Sequence, residues 1–234
     1  LETQDKLGRM AAPMLPKVSF LDPTLTYTVS PYQTACGAAD MMSHILEVYF
    51  NLNEDLFMLD SMMEAMLKTI VRFAPVAIAE PENYEARANL MWCSSWAING
   101  FINGGRRKAW SCHPMEHELS AIYDIAHGHG LAILTPRWME YCLEESNAHR
   151  YVSLGVNVFG IDPKGEPMAI AKECIERMRE FMSVTLNLPY TFTEVGIKRE
   201  DFATMARKAC RYGAIRGFKT LEPQDVERIY EMCI

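Results

Sequence analysis

The chain has 234 residues, 49% of them hydrophobic, enough apolar side chain to bury a large core and too much for a disordered segment. With 23 Lys and Arg against 30 Asp and Glu the net charge is -7, and no basic stripe offers itself to a phosphate backbone, so nucleic acid is not an expected partner. The longest apolar runs, such as Phe73–Ala79 and Gly130–Leu134, fall far short of the roughly 20 residues of a membrane span, and the chain reads as soluble.

Along the chain, Lys17 to Pro23 alternates, turns apolar and is stopped by proline, which predicts one short strand. Helical periodicity begins at Ser30-Pro31, with Ser30 as N-cap and Pro31 at the first helical position, and runs to about Tyr49. Glu54 to Ala79 reads as one long or two abutting apolar helices ending before Pro81, and Asn83 to Phe101 as another. After a loop at Asn103 to Arg107, periodicity returns over His113–Tyr123, pauses at Asp124–Gly130 and resumes through Leu131–Leu143. Later helices are expected at Asn147–Val158, Pro167–Leu186, Arg199–Tyr212 and Gln224–Met232. The fold class is therefore mostly α. Seven cysteines, an odd and scattered set without a CxxC pair, read as free thiols of a reducing cytoplasm. Leu1 to Met10 lacks the apolar core of a signal peptide, and the missing initiator Met suggests a fragment or a processed chain.

The histidines carry the chemical signal. Asp40 and His44 lie four apart, on one face of a predicted helix whose neighbours Ala35 to Ala39, Met41 and Met42 are small or apolar, where an unpaired charge would be costly. His113 and His117 repeat the spacing, and His127 follows just after the pause, where the chain is able to fold back toward His113. One carboxylate and three imidazoles suit Fe(II) or Zn(II), with room for a water or substrate oxygen. A single histidine is more often bonded to a carbonyl or solvated, so the residues by themselves leave that alternative open. Asp124 is placed to cap the following helix, His129 and His149 read as loop or surface residues, and Glu116 or Glu118 as a group facing the ion's surroundings. Trp92, Trp96 and Trp110 read as core or pocket lining, and the basic run Arg106-Arg107-Lys108 is given no role.

The stretches Gly37-Ala38-Ala39-Asp40-Met41-Met42-Ser43-His44, His113-Pro114-Met115-Glu116-His117-Glu118-Leu119, Ala126-His127-Gly128 and Leu131 to Pro136 resemble the iron-containing alcohol dehydrogenases, in their butanol dehydrogenase and broad-range aldehyde reductase branch. The resemblance implies Asp40, His44, His113 and His127 as ligands of one Fe(II), or of Zn(II) or Ni(II) in a recombinant chain. It implies His117 as a further active-site histidine beside the substrate, a small alcohol or aldehyde, and NAD(P)H as the second cofactor. Thr3 to Lys6 and Leu21 to Thr28 resemble the end of the family's nucleotide-binding half and its crossover, with Lys6 and Leu25 as dinucleotide contacts. Residues 1–29 are thus expected to close the nucleotide-binding half, and 30–234 to form the helical metal-binding domain of the iron alcohol dehydrogenase and dehydroquinate synthase-like fold. A homodimer is also implied. No Gly-rich phosphate loop occurs, since Gly104-Gly105 does not follow a strand, and the dinucleotide-binding domain is read as absent from this chain. A non-catalytic helical metal-binding or dimerisation module is the alternative. The dehydroquinate synthase and glycerol dehydrogenase types, which hold their metal with fewer histidines, are a third reading.

Overall fold

In the computed structural model, residues 5, 6, 8, 14–51, 56–104 and 110–234 are described. The basic run at Arg106 to Lys108 and Thr3-Gln4 lie outside them. The helices, in chain order, are α1 (Pro31–Tyr49), α2 (Phe57–Ala79), α3 (Tyr84–Ile98), α4 (Cys112–Tyr123), α5 (His127–Cys142), α6 (Ala148–Phe159), α7 (Pro167–Glu180), α8 (Phe202–Ala209) and α9 (Pro223–Glu231). A π-helical turn, Phe181–Thr185, extends α7 over most of its expected length.

α1 is the central rod. Ser30 accepts from the Gln33 N–H and Pro31 occupies the first turn, so the start is capped as expected. Ala38, Ala39, Met42, Ile45, Leu46 and Tyr49 are fully buried, because α2, α3 and α5 pack on different sides of the rod. Each large apolar side chain buried this way contributes about 1.5–3 kcal/mol, and truncating one such as Leu46 to Ala would cost roughly 2–5 kcal/mol. Polar ties fix the neighbours. The Tyr49 hydroxyl donates to Glu64 of α2 at 2.8 Å, and Arg150 of α6 bonds Asp60 and the Tyr49 carbonyl. Arg87 of α3 donates to the carbonyls of Ala77 and Pro81, closing the C-terminal end of α2, and to Thr34 of α1.

Three expectations need correction. No strand forms at 17–23: Val18 and Phe20 are 70% and 94% exposed, and Asp22 instead caps a 3-10 turn, Pro23–Thr26. With no neighbouring strand to pair among the described residues, an extended segment there would leave its backbone groups to water. Among the described residues the one β-type pairing is an isolated bridge between Ile215 and Leu221. Second, α5 starts at His127, one turn before Leu131, which places His129 in a buried first turn, between the Tyr32 hydroxyl at 3.1 Å and the Pro189 carbonyl at 2.8 Å. Third, Asp124 does not cap α5. It ends α4 in the left-handed region, with φ 52°. Among the described residues no helix is long and apolar enough to cross a membrane.

Candidate metal centre

Three helices converge on one point. α1 supplies Asp40, His44 and Glu47 from one face, α4 supplies His113, Glu116 and His117, and α5 supplies His127 from its first position. The α1–α5 crossing is close because residue 128 is glycine: a Cβ there would lie 1.9 Å from the carbonyl oxygen of Cys36, one turn before Asp40. This contact brings His127 to the Asp40 side chain.

Asp40 Oδ1 lies 3.6 Å from His44 Nε2, 3.7 Å from His113 Nε2 and 3.6 Å from His127 Nε2. Four donors about 2.0–2.2 Å from a common ion in a tetrahedral array would stand roughly 3.3–3.6 Å apart. Asp40 Oδ1 and His113 Nε2 are buried, and neither finds a hydrogen-bond partner among the described residues. Buried polar atoms are nearly always satisfied, and a divalent cation satisfies an oxygen and three imidazole nitrogens together. Asp40, His44 and His113 offer donor atoms all within 4.8 Å of one another, which suits such an ion; His127 stands in a second group with Glu116 and His117 and reaches the first through its 3.6 Å approach to Asp40. The His113 and His44 side chains are 8% and 11% exposed, whereas Asp40 and His127 are 33% and 29% exposed, which leaves one side of the cluster open, as a catalytic centre requires.

Electrostatics follow the geometry. Burial alone would raise the Asp40 carboxyl, but His113, His44 and His127 around it hold it below the usual carboxylate range. Burial would lower His113, yet Asp40 and Glu47 push it up to about 9. Burial, aided by Lys6 and the neighbouring imidazoles, pulls His117 down to about 4 despite Glu116 beside it.

Sequence reasoning missed Glu47. Its Oε1 accepts the first amides of α4, Cys112 N–H at 2.5 Å and His113 N–H at 3.0 Å, and its Oε2 lies 3.2 Å from His113 Nδ1. It caps a helix whose own Ser111 makes no capping bond, and turns the His113 ring so that Nε2 faces Asp40. The available signal is position: Glu47 follows His44 by three residues on the same face. Trp110 packs edge-on against His44 and His113, with ring centroids 5.1 and 4.4 Å away. Trp92 and Trp96 lie elsewhere, along an apolar groove between α2 and α3.

Two cavities flank the cluster. One, of about 360 Å³, is lined by Lys6, Trp110, His117, Arg211 and Tyr212. The other, of about 310 Å³, runs from Asp40 past Gly37, Met41 and Met91 to Thr26.

The sequence pattern of the "Fe-containing alcohol dehydrogenase family, C-terminal" matches residues 34–234. The chain belongs to this family. It is 47% identical over 233 residues to NADH-dependent butanol dehydrogenase A of Clostridium acetobutylicum, covering 99% of this chain and 60% of that protein. The crystal structure of NADH-dependent butanol dehydrogenase A from Thermotoga maritima superposes with a TM-score of 0.91 at 33% identity, covering 99% of this chain and 60% of that one. YqhD of Escherichia coli K-12 superposes at 0.93 with 29% identity, covering 100% and 60%. The chain thus spans about 60% of the length of the curated relatives it matches.

The structure brings Asp40, His44, His113 and His127 of this iron-containing alcohol dehydrogenase family member together, with His117 beside them, its ring centroid 5.5 Å from that of His127. Lys6 reaches the same region, with Nζ 3.2 Å from Glu116 and 2.9 Å from His127 Nδ1. Leu25 stands apart, 76% exposed on the 3-10 turn whose Thr26 borders the Asp40-side cavity.

Proposed function

We propose that Asp40, His44, His113 and His127 hold one divalent metal ion, Fe(II) by preference with Zn(II) or Ni(II) as substitutes. The chain is then the metal-bearing part of an NAD(P)-linked alcohol dehydrogenase or aldehyde reductase. The observation that carries this reading is one carboxylate oxygen standing 3.6–3.7 Å from three imidazole Nε2 atoms at the open end of a buried cluster.

When bound, the ion supplies Lewis-acid polarisation of an alcohol or aldehyde oxygen. Asp40 contributes the single negative charge among the donors and stays ionised because the surrounding imidazoles favour its charged form. His117 faces the 360 Å³ cavity, and burial holds its ring neutral, so it offers one N–H donor and one acceptor nitrogen to orient a substrate hydroxyl; a relay role requires bound substrate to raise its basicity. Trp110 lines that cavity and shields His44 and His113 from water. The space suits a small alcohol or aldehyde, and butanol and butyraldehyde are the first choices on the strength of the relatives' names.

The nicotinamide, in this reading, is brought by a dinucleotide-binding domain that is not among these 234 residues. Residues 1–29 close that half and 30–234 form the metal-binding domain. Lys6 and Leu25 are its proposed contacts: Lys6 is partly exposed at the edge of the cluster, and Leu25 presents an apolar surface to solvent. All seven cysteines are buried free thiols, which supports a reducing compartment, the cytoplasm. A homodimer is proposed on family membership, and sedimentation at micromolar concentration tests it.

The decisive experiment fuses the N-terminal part of the Clostridium acetobutylicum butanol dehydrogenase A ahead of Leu1. The expected result is metal-dependent reduction of butyraldehyde by NADH or NADPH, abolished by H113A. A folded, metal-loaded fusion that turns over no alcohol or aldehyde would refute the reading and leave the non-catalytic module in its place.

A further inference from the structure

We infer that Glu116 is a positioning residue: it holds the His127 ring with Nε2 toward Asp40 and thereby sets how tightly the cluster grips its ion. The inference rests on the metal-centre reading above.

His127 is the most exposed of the three imidazoles that face Asp40. It opens α5, and Ala126 before it provides no capping side chain. Packing and helix geometry therefore fix its ring least. Its Nδ1 is bonded to Glu116 Oε2, a side chain with no solvent exposure. A buried carboxylate persists only where its oxygens are satisfied, and Glu116 is well supplied. Oε2 also receives Lys6 Nζ at 3.2 Å, and Oε1 is bonded by the Ser120 hydroxyl one turn along α4. Lys6 Nζ also lies 2.9 Å from Nδ1, but an ammonium has no lone pair to offer and donates to Glu116 Oε2; when the Nδ1 proton is directed to that carboxylate, the ring presents its Nε2 lone pair to Asp40 and is more basic there.

The surrounding backbone is built to this carboxylate. A Cβ on Gly130 would stand 2.8 Å from Glu116 Cγ and 2.9 Å from Oε1, so the first turn of α5 closes directly over the side chain. Glu47 Oε2 stands 3.2 Å from His113 Nδ1 as a looser counterpart, and the two rings backed by carboxylates come from the two different helices that meet α1. Three buried or half-buried carboxylates, Asp40, Glu47 and Glu116, meet in one region, and the Lys6 ammonium places a positive charge 3.2 Å from one of them.

The test is a Co(II) titration of the full chain by chelator competition, with the visible Co(II) spectrum recorded for wild type, E116Q and S120A. E116Q keeps the shape and removes the charge. It is expected to weaken Co(II) by about 10–100-fold and to shift the visible bands, while the chelator-stripped protein unfolds within a few degrees of wild type. S120A, which loosens Glu116 without touching it, is expected to weaken Co(II) by about 3–10-fold, a smaller part of the same effect. Wild type that binds no Co(II) would sink the metal-centre reading itself. Wild type that binds one Co(II), with E116Q within threefold of it and with the same bands, overturns the role of Glu116 alone. If E116Q does not fold, an unchanged S120A overturns it.

Discussion

Replacing Gly128 by Ala probes the contact that brings two of the candidate ligands together. The added Cβ would begin 1.9 Å from the Cys36 carbonyl oxygen and 2.5 Å from its carbon, and both are backbone atoms of a buried helix that cannot swing aside. Reaching the 3.4 Å of ordinary contact requires the start of α5 to retreat from α1 by about 1.5 Å. His127 is the adjacent residue, so its Nε2 would move from 3.6 Å to about 5 Å from Asp40 Oδ1, beyond the roughly 4.2 Å that two bonds to one ion can span. Overpacking of this kind costs about 1–3 kcal/mol, which for a chain of this size is a fall in Tm of roughly 2–12 °C. Losing a donor should cost at least the ~100-fold upper range of losing a supporting group. Chelator competition with Zn(II) and thermal unfolding of the stripped chain measure both. G37A is the matched control, since Gly37 sits on α1 with nothing within 4 Å of an added Cβ, and should gain up to about 1 kcal/mol. G128A with wild-type affinity and wild-type Tm would show that the crossing does not govern the cluster.

Three more outcomes follow from the same geometry. E47Q leaves the first amides of α4 and the His113 ring without their carboxylate, and should lower stability by about 1–3 kcal/mol and weaken metal binding; denaturant unfolding with and without Zn(II) checks it. H117A should keep one ion per chain, yet in the fusion enzyme cut kcat by about 10²–10⁴-fold, and equal turnover would assign the relay elsewhere. The pH dependence has opposite signs for the stripped and the loaded chain. Asp40 and Glu47 raise folded His113 to about 9 from its ordinary 6.5, so its contribution to stripped-chain stability is complete below 6.5 and is lost as pH rises through about 9. The ion needs that nitrogen unprotonated, so affinity should climb across the same interval with release of about one proton per ion near neutrality, and calorimetry in two buffers of different ionisation heat counts it.

Much of this fold is legible in the chain because local and tertiary signals agree. Ser30-Pro31 states the start of α1, and the apolar neighbours of Asp40 announce that its face is buried. The i, i+4 pairs predict two halves of a cluster, but only the α1–α5 crossing shows that His127 reaches the first half. Gly128 and Gly130 mislead because glycine marks both breaks and close approaches. Here the second applies, with Cys36 and Glu116 filling the space of the missing Cβ atoms, and His129 is hidden as a result. Glu47 is unreadable for a related reason, and Glu116 is legible only as one of two glutamates beside His117: a glutamate on a helix is usually solvated, and only the seating of α4 on α1 and of α5 on α4 buries these two. The run at 17–23 has strand-like alternation and, among the described residues, no partner strand to give it meaning.

Glu47 fastens the amino end of α4 to α1 through two main-chain amides, bonds that involve only protein atoms. That tie does not pass through the donor atoms of the cluster, so on the metal-centre reading it persists whether or not an ion is held. On the metal-centre reading, a stripped preparation should take up added Fe(II) or Zn(II) without first regaining this tie between α1 and α4.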